Sequence, residues 1–282
     1  MSKKKFQPIL TIGLPVFNEE KRVNKILNFL FRQSYKNFKI IISDNCSNDR
    51  TLEICKKWKK KRKNLIIFRQ KKKININKNF YFVYSKSTTK YFMWMAADDL
   101  KSKNFIKDNL HFLEKNPKYS ASCCKGIIEI DQTKKKKIVD FNITGNMSLK
   151  YSKFFDNCFD SHGIFYSLFR RIDLKKSKKY LNYMAWDWIV NLIILENGDF
   201  NRLKKGYFKT AYGGVSTRKN YLFNQDSNYI HKVFPFLKFS IFVLNNAFKK
   251  DFGLNNFCNI WFNIIKINLR FLKRYFKYRL ES

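Results

Sequence analysis

Two adjacent carboxylates, Asp98 and Asp99, directly follow a run of five bulky apolar residues, 91–95. The apolar run predicts a buried strand, and the acids then lie where that strand leaves its sheet. Adjacent carboxylates repel each other, and each must stay solvated or meet a cation. A divalent cation that also holds a diphosphate would compensate them, because hard cations bind carboxylate and phosphate oxygens. A surface turn or a helix N-cap before Leu100 is the alternative interpretation.

Short apolar runs alternate with helical patterns in the first part of the chain. Strands are predicted at residues 9–14, 39–43, 65–68 and 91–95, with Pro15 ending the first of them. Such alternation is typical of a parallel sheet in an α/β fold, whose ligands bind beyond the carboxyl ends of the strands. Phe17, Asp44 and the Asp98–Asp99 pair each follow such an end. The pattern suits a nucleotide, with an aromatic ring and a carboxylate for the base and acids for the ribose and a metal.

Asp187 is the acid of a later predicted helix, residues 184–195, where Trp186 and Trp188 flank it. The two indole rings would partly desolvate the carboxylate and raise its basicity, which suits a general base. They would equally well stack on sugar rings. An ordinary solvent-facing acid on a helix is the third interpretation, and the residues alone leave all three open.

The chain of 282 residues is 45% hydrophobic and carries a formal net charge of +37. Its length allows one large domain, or one domain with an appendage. The charge predicts an anionic partner, such as nucleic acid, an acidic lipid surface or a phosphorylated substrate. The adjacent pair Arg170–Arg171 is expected on a solvated basic face, with binding of acceptor or diphosphate oxygens as the alternative. Six scattered cysteines without a CxxC pair argue against a zinc site and suit a reducing cytosol.

Turn residues thin out and aromatic residues become frequent from about residue 221 onward. Residues 257–280 show a helical pattern with an apolar side and a remainder rich in Lys and Arg. Such a helix suits the surface of an anionic membrane. Packing on the preceding domain, with the basic side in water, is the other interpretation, and the two are compatible. The chain contains no run of 18 apolar residues, so no transmembrane helix is predicted.

Several segments in this order resemble the motifs of the inverting family-2 glycosyltransferases, which have the GT-A fold. The similar segments are LPVFNEE at 14–20, SDNCSNDRT at 43–51, YFMWMAADD at 91–99 and FYSLFRR at 165–171. Asp187 lies where that family places its catalytic base. Two departures are Ala96, where another acid is frequent, and Trp186, where a Glu often precedes the base.

This resemblance implies a role for each candidate residue on the donor side. Pro15 and Phe17 would border the nucleobase, and Asp44 would accept a hydrogen bond from it. Glu19 would line the nucleotide pocket, and Asp98 would face the ribose and the metal.

The resemblance also implies the chemistry beyond the nucleotide. Asp99 would be a ligand of Mg²⁺ or Mn²⁺, and Asp187 would take the proton from the acceptor hydroxyl. Transfer would invert the anomeric centre, from a UDP-linked sugar to a saccharide or lipid-linked glycan, as in cell-surface polysaccharide biosynthesis. A cytoplasmic location is expected, with the inner face of the cytoplasmic membrane as a candidate surface.

The expected fold class is an α/β GT-A fold, a Rossmann-like and mostly parallel sheet flanked by helices, with a C-terminal helical extension. Residues 1–220 would form the catalytic domain, with a nucleotide-sugar half at about 1–100 and an acceptor half at about 101–220. Residues 221–282 would form the extension.

Two other functions stay open from the sequence. A nucleic-acid-binding protein would explain the charge, although no helix-turn-helix, zinc-finger or RNP-like pattern is present. A nucleotidyltransferase would use the same metal-binding acids.

Overall fold

A computed structural model describes residues 7–129, 136–158, 162–172, 174–210, 234 and 236–280. Within them one nine-stranded sheet has the order β3-β2-β1-β4-β8-β6-β9-β5, with β7 paired to β6. The strands are β1 (Leu10–Val16), β2 (Phe38–Asp44), β3 (Leu65–Arg69), β4 (Tyr91–Trp94), β5 (Leu100–Lys101), β6 (Tyr119–Glu129), β7 (Lys136–Val139), β8 (Leu168–Arg170) and β9 (Asp199–Thr210).

Helices cover the sheet and follow its strands in alternation through the first half of the chain. They are α1 (Glu20–Phe31), α2 (Thr51–Lys61), α3 (Ile76–Ser85), α4 (Phe105–Lys115), α5 (Met147–Asp156), α6 (His162–Phe165), α7 (Trp186–Glu196), α8 (Leu237–Lys249) and α9 (Leu254–Leu280), with a 3₁₀ turn at Lys175–Tyr180. The apolar residues of α1 recur at helical spacing and are buried, and its other side is polar.

Most strands of the sheet run in the same direction. The pairs β1–β2, β2–β3, β1–β4 and β6–β9 are parallel, and β8, β7 and β5 join antiparallel. The carboxyl ends of β1, β2 and β4 therefore lie at one edge. Strands buried on both faces are continuously apolar, as the sequence of β4 is, which is why these strands could be predicted.

The first strand runs through Pro15 to Val16, so the prediction that Pro15 ends it was wrong. The carbonyl of Gly13 accepts a hydrogen bond from the Met95 amide beyond β4. Because N–H groups alternate sides along a strand, Pro15 faces the same side as Gly13. The β4 register ends at Trp94, opposite Gly13. Pro15 thus lies beyond the paired part, where a missing N–H breaks no ladder bond.

Residues 119–129 form the single strand β6, where the sequence pattern predicts two strands, 119–124 and 126–130. The register with β9 shifts between Cys124 and Lys125. Cys124 pairs with Leu203, and Lys125 pairs with Tyr207. The extra residues of this irregularity, 204–206, therefore lie in β9, and β6 continues there without an insertion. Residue 130 lies outside the described residues.

The last two helices pack on the sheet-bearing part of the chain. The Phe252 ring lies 5.0 Å from that of Tyr151 on α5, and the Phe236 ring lies 5.3 Å from that of Trp188 on α7. The predicted domain boundary near residue 220 lies outside the described residues. Among the described helices, none combines the length and apolar character needed to cross a membrane.

Candidate active site

The candidate residues of the nucleotide half leave the sheet at one edge. In the parallel registers Val16 lies opposite Asp44, and Gly13 lies opposite Trp94. The segments that follow β1, β2 and β4 therefore begin side by side. Pro15 and Asp44 lie in the last residues of β1 and β2, and the segments that follow β1 and β4 carry the other predicted site residues, Phe17, Glu19, Asp98 and Asp99.

Asp44 ends β2 with its side chain fully buried. The Ser47 amide donates to both oxygens of the Asp44 carboxylate at 3.3 Å, and Nε of Arg69 lies 3.7 Å from Asp44 Oδ2. Arg69 also donates to the Ser47 carbonyl. The carboxylate therefore has compensating donors in the protein, and a ligand would approach it as an additional partner.

Phe17 follows β1 and keeps 37% of its surface exposed. The Lys73 ammonium lies 4.2 Å from the centre of its ring, as a cation–π contact. The side-chain amide of Asn45 holds the loop that carries Lys73, since it donates to the Ile74 carbonyl and accepts from the Ile74 amide, both at 2.9 Å. Pro15 is half-buried and lies in β1, two residues before Phe17. A base stacking on that face of Phe17 must displace Lys73.

Glu19 precedes α1 and is half-buried. Burial raises the pKa of Glu19, the Arg22 guanidinium bound at 2.6 Å opposes this rise, and the Asp98 charge adds to it. The Thr51 hydroxyl accepts a hydrogen bond from the Glu19 amide at 2.7 Å, which connects this segment to the start of α2. Glu19 and Asp98 therefore lie close enough to interact across the same edge of the sheet.

Asp99 is 2% exposed, and Lys101, whose ammonium group faces it, is 1% exposed. Lys101 Nζ lies 3.9 Å from Asp99 Oδ2, and the Ala96 amide donates to the same oxygen at 3.3 Å. Burial raises the pKa of Asp99 to about 7, Lys101 opposes the rise and Asp98 adds to it. The rings of Phe105, Tyr166 and Phe208 surround the ammonium.

The two acids fit a cation that a ligand helps to hold. Among the described residues, no group of three or more acidic, histidine or cysteine side chains is arranged to bind a metal alone. Mg²⁺ commonly needs only one or two carboxylates, because substrate phosphates and waters complete its shell. Asp98 and Asp99 supply such a pair, and their mutual repulsion would fall on binding. The donor set is thus suited to a cation shared with a diphosphate.

Asp187 lies in the first turn of α7. Its neighbour Trp186 packs edge-on against Trp94, with ring centres 6.1 Å apart, so this end of α7 meets the end of β4. Burial raises the pKa of Asp187 to about 6, and the Trp188 amide partly offsets the rise. A carboxylate held in this way is more basic than an ordinary surface acid, which suits proton abstraction near neutral pH.

The side chain of Asn77 connects the two halves of the site. Its amide donates to the carbonyls of Leu181 at 3.0 Å and Tyr183 at 3.1 Å, in the turn that leads into α7. Asn77 itself lies in the first turn of α3, next to the loop that Asn45 holds. The segment beside Asp44 and the turn before Asp187 are therefore joined by side-chain hydrogen bonds.

The basic pair at 170–171 lies away from these acids. Arg170 pairs with Tyr91 at the start of β4, which is the opposite end of that strand. Its guanidinium donates to the Tyr119 carbonyl at 2.9 Å and to the carbonyl of Leu113 at the end of α4. The expected solvated face was wrong for Arg170, because this side chain is half-buried and satisfies backbone carbonyls. Arg171 is exposed.

Sequence reasoning missed Arg69 and Lys101, which pair with Asp44 and Asp99, and Asn77, which holds the turn before Asp187. One signal was present for Lys101, since residues two apart on a strand lie on one face and Lys101 is two after Asp99. Arg69 follows an apolar run as Asp44 does, and strand ends on one edge bring such residues together. The sequence pattern carries no comparable signal for Asn77.

The pKa of Asp187 predicts a pH dependence for any reaction that uses it as a base. Only the deprotonated carboxylate accepts a proton, so kcat/KM is expected to rise with pH below about 6 and to level off above it. The measurement is kcat/KM against pH at saturating Mn²⁺. Donor affinity measured at each pH separates this effect from any change at Asp99. A rate that is flat between about pH 5 and pH 7 would remove Asp187 as the limiting base.

Comparison with known proteins relates this geometry to a described family. Residues 11–175 match the family model described as glycosyl transferase family 2. A Methanococcus voltae protein named dolichyl N-acetyl-alpha-D-glucosaminyl phosphate 3-beta-D-2,3-diacetamido-2,3-dideoxy-beta-D-glucuronosyltransferase is 30% identical over 105 residues. That match covers 36% of this chain and 32% of the relative, so only about a third of the relative's length is involved.

Solved structures share the fold at lower identity. Staphylococcus aureus TarS 1–349 in complex with UDP-GlcNAc has a TM-score of 0.55 and 16% identity, over 92% of this chain and 81% of that one. The mannosyltransferase PcManGT from Pyrobaculum calidifontis, in complex with GDP-Man and Mn²⁺, has a TM-score of 0.51 and 13% identity, over 72% of this chain and 57% of that one. The predicted α/β GT-A fold is thus confirmed.

Proposed function

Because the chain belongs to glycosyl transferase family 2, we propose that it moves a sugar from a nucleotide-sugar donor to an acceptor hydroxyl, with inversion at the anomeric carbon. The observation that carries this proposal is the packing of the start of α7 against the end of β4. Asp98 and Asp99 follow β4, and Trp186, which precedes Asp187 in the first turn of α7, packs against Trp94, the last residue of β4. We assign the leaving-group site to Asp98 and Asp99, and the base to Asp187.

The donor side is assigned to residues at the ends of β1 and β2. Phe17 offers an exposed aromatic face for a base, and Pro15, two residues earlier in β1, would border that base. Asp44 is held by Ser47 and Arg69 in a fixed orientation, as an acceptor for a base N–H requires. A UDP-linked sugar is the proposed donor, and the TarS complex with UDP-GlcNAc supports that choice by its fold.

Asp99 and Asp98 would hold Mg²⁺ or Mn²⁺ together with the diphosphate, and Glu19 would line the same pocket. A bound divalent cation stabilises the negative charge that grows on the diphosphate as the glycosidic bond breaks. Lys101 keeps the Asp99 carboxylate oriented through its contact at 3.9 Å. The protein thus supplies the acids in place before the donor arrives.

Asp187 is the proposed general base. The acceptor oxygen attacks the anomeric carbon while its proton passes to Asp187, and the bond from that carbon to the diphosphate oxygen breaks. Attack opposite the leaving group in a single displacement inverts the configuration without a covalent intermediate. Positioned proton transfer of this kind contributes about 10²–10⁴ in rate.

The proposed acceptor is a saccharide or a lipid-linked glycan, with transfer at the cytoplasmic face of a membrane. The name of the Methanococcus voltae relative describes a dolichyl phosphate sugar, and TarS is named a poly(ribitol-phosphate) beta-N-acetylglucosaminyltransferase. The first name supports a lipid-linked sugar as the acceptor, and the second supports a phosphate-containing polymer. The formal net charge of +37 also favours an anionic acceptor or surface.

A panel of sugar nucleotides, assayed with Mn²⁺ for donor turnover, tests this proposal. At least one UDP-sugar is expected to be hydrolysed or transferred. Asp99→Asn is expected to lower the Mn²⁺-dependent rate by about 100-fold, because a bound cation contributes several kcal/mol of charge stabilisation. The change preserves side-chain volume and replaces a charged cation ligand with a neutral one. Asp156→Asn, at an exposed acid, is the matched control and is expected to be unaffected.

Two outcomes would replace the proposal. Release of pyrophosphate from a nucleoside triphosphate would identify a nucleotidyltransferase. Metal-independent binding of random oligonucleotides, with no response to any sugar nucleotide, would identify a nucleic-acid-binding protein.

A further inference from the structure

Exposed apolar side chains are concentrated on the last two helices. Of the thirteen large apolar side chains that are exposed among the described residues, eight belong to α8, α9 or the turn between them. Phe262 on α9 is 65% exposed, and Trp261 is 48% exposed. Soluble proteins rarely leave such side chains clustered in water, and clusters of this kind mark contact surfaces.

The exposed apolar residues of α9 form one face, which we name the apolar arc. At 3.6 residues per turn they fall within roughly 100° of the helix circumference. The members of the arc are Leu254, Trp261, Phe262, Ile265, Leu269 and Phe276.

A different face of α9 attaches the helix to the rest of the protein. Ile260, Ile264 and Ile267 are buried where α9 packs on α5 and α8. The Asn268 side chain donates to the Ser240 hydroxyl of α8 at 3.0 Å. Because this attached face is already covered, the apolar arc is additional to what folding of the domain requires.

Basic side chains border the apolar arc on its other side. Lys266, Arg270 and Lys273 are exposed and fall within roughly 60° next to the arc, at the same helical rotation per residue. The sequence of α9, residues 254–280, contains no Asp or Glu. A surface that buries the arc would therefore also meet several positive charges and no negative charge from this helix.

We propose that the apolar arc and its basic border dock on a bilayer containing anionic lipids. Helices with a basic face and an aromatic and aliphatic face lie in the plane of the membrane interface, with the apolar face about 5–10 Å deep. Leu254, Ile265 and Leu269 are aliphatic, and they bury in hydrocarbon but offer no stacking surface to nucleic-acid bases. The proposal bears on the lipid-linked acceptor, but it stands on α9 alone and does not depend on the transfer reaction.

Vesicle flotation with the full chain tests the docking surface. The protein is expected to float with vesicles of phosphatidylcholine and phosphatidylglycerol, and to stay in solution with phosphatidylcholine alone. Lys266→Gln combined with Lys273→Gln is expected to weaken partitioning roughly thirty-fold, because each basic residue near an anionic surface strengthens binding about five-fold. Phe262→Ser combined with Leu269→Ser is expected to abolish flotation.

Matched controls separate the surface from overall charge. Lys59→Gln combined with Lys60→Gln removes the same charge from exposed positions of α2 and is expected to leave flotation within about two-fold of the unaltered chain. Ile138→Ser removes an exposed apolar residue elsewhere and is expected to have no effect. Circular dichroism verifies that each variant is folded.

Three results would overturn the proposal. The first is a chain that stays in solution with both vesicle types, and the second is an α2 control that lowers flotation as much as the α9 variant does. The third is a change of partner. If Phe262→Ser with Leu269→Ser dissociates a dimer in light scattering, or abolishes oligonucleotide binding while flotation persists, the arc contacts a second copy or a nucleic acid instead.

Discussion

Asp187→Asn is expected to lower the rate of sugar transfer by about 10²–10⁴ while donor affinity stays within about two-fold. The amide has nearly the same shape as the carboxylate but cannot accept the acceptor's proton. The proposed mechanism assigns donor binding to residues at the ends of β1, β2 and β4, which this change does not touch. The measurements are kcat with donor and acceptor saturating, and donor Kd by calorimetry in the presence of Mn²⁺.

The split between kcat and donor affinity distinguishes a base from a structural acid. Asp156→Asn, at an exposed position of α5, is the matched control and should leave both quantities unchanged. Full transfer activity in Asp187→Asn would remove this residue from the proposed mechanism. Loss of donor binding together with activity would instead show that Asp187 maintains the fold of the site.

Trp94→Ala is expected to lower the free energy of unfolding by about 3–5 kcal/mol. The indole stacks on Phe165 with ring centres 4.4 Å apart, meets Trp186 edge-on, and donates to the Phe80 carbonyl at 3.0 Å. Alanine would leave a cavity among these rings and remove the hydrogen bond to the Phe80 carbonyl. Because Trp186 precedes Asp187, the same cavity is expected to loosen the start of α7. Denaturant unfolding followed by circular dichroism measures the loss.

A second tryptophan provides the comparison for this experiment. Trp261 is 48% exposed on α9, so Trp261→Ala is expected to change the free energy of unfolding by no more than about 0.5 kcal/mol. Equal losses for the two variants would contradict the central packing role of Trp94. A loss below about 1 kcal/mol for Trp94→Ala would do the same.

Local sequence pattern was sufficient to locate the strands and the acids that follow them. A strand buried on both faces needs a continuous apolar run, and the run stops where the backbone returns to water. Phe17, Asp44, Asp98 and Asp99 could therefore be assigned to carboxyl ends, and parallel order places those ends at one edge. The helical periodicity of α9, with apolar and basic sides, was also predictable, since it repeats within a few turns.

The hydrogen-bonded pairing between strands decided where the predicted strand ends were wrong. Pro15 can remain in β1 because β4 ends opposite Gly13. The residues around a proline do not indicate how long the neighbouring strand is. Gly126 stays inside β6 because it pairs with Phe208 of β9, and the extra residues next to this pairing lie in β9. Both outcomes depend on a neighbouring strand that is distant in sequence.

The sequence by itself determined which residues are acidic, apolar and periodic, and hence the sheet edge that carries the candidate site. Tertiary structure alone decided that Lys101 lies buried beside Asp99, and that Asn77 holds the turn before Asp187 through carbonyls 104 and 106 residues away. A polar group can be buried only where a partner meets it. That partner is set by how distant helices and strands pack, and local periodicity does not encode it.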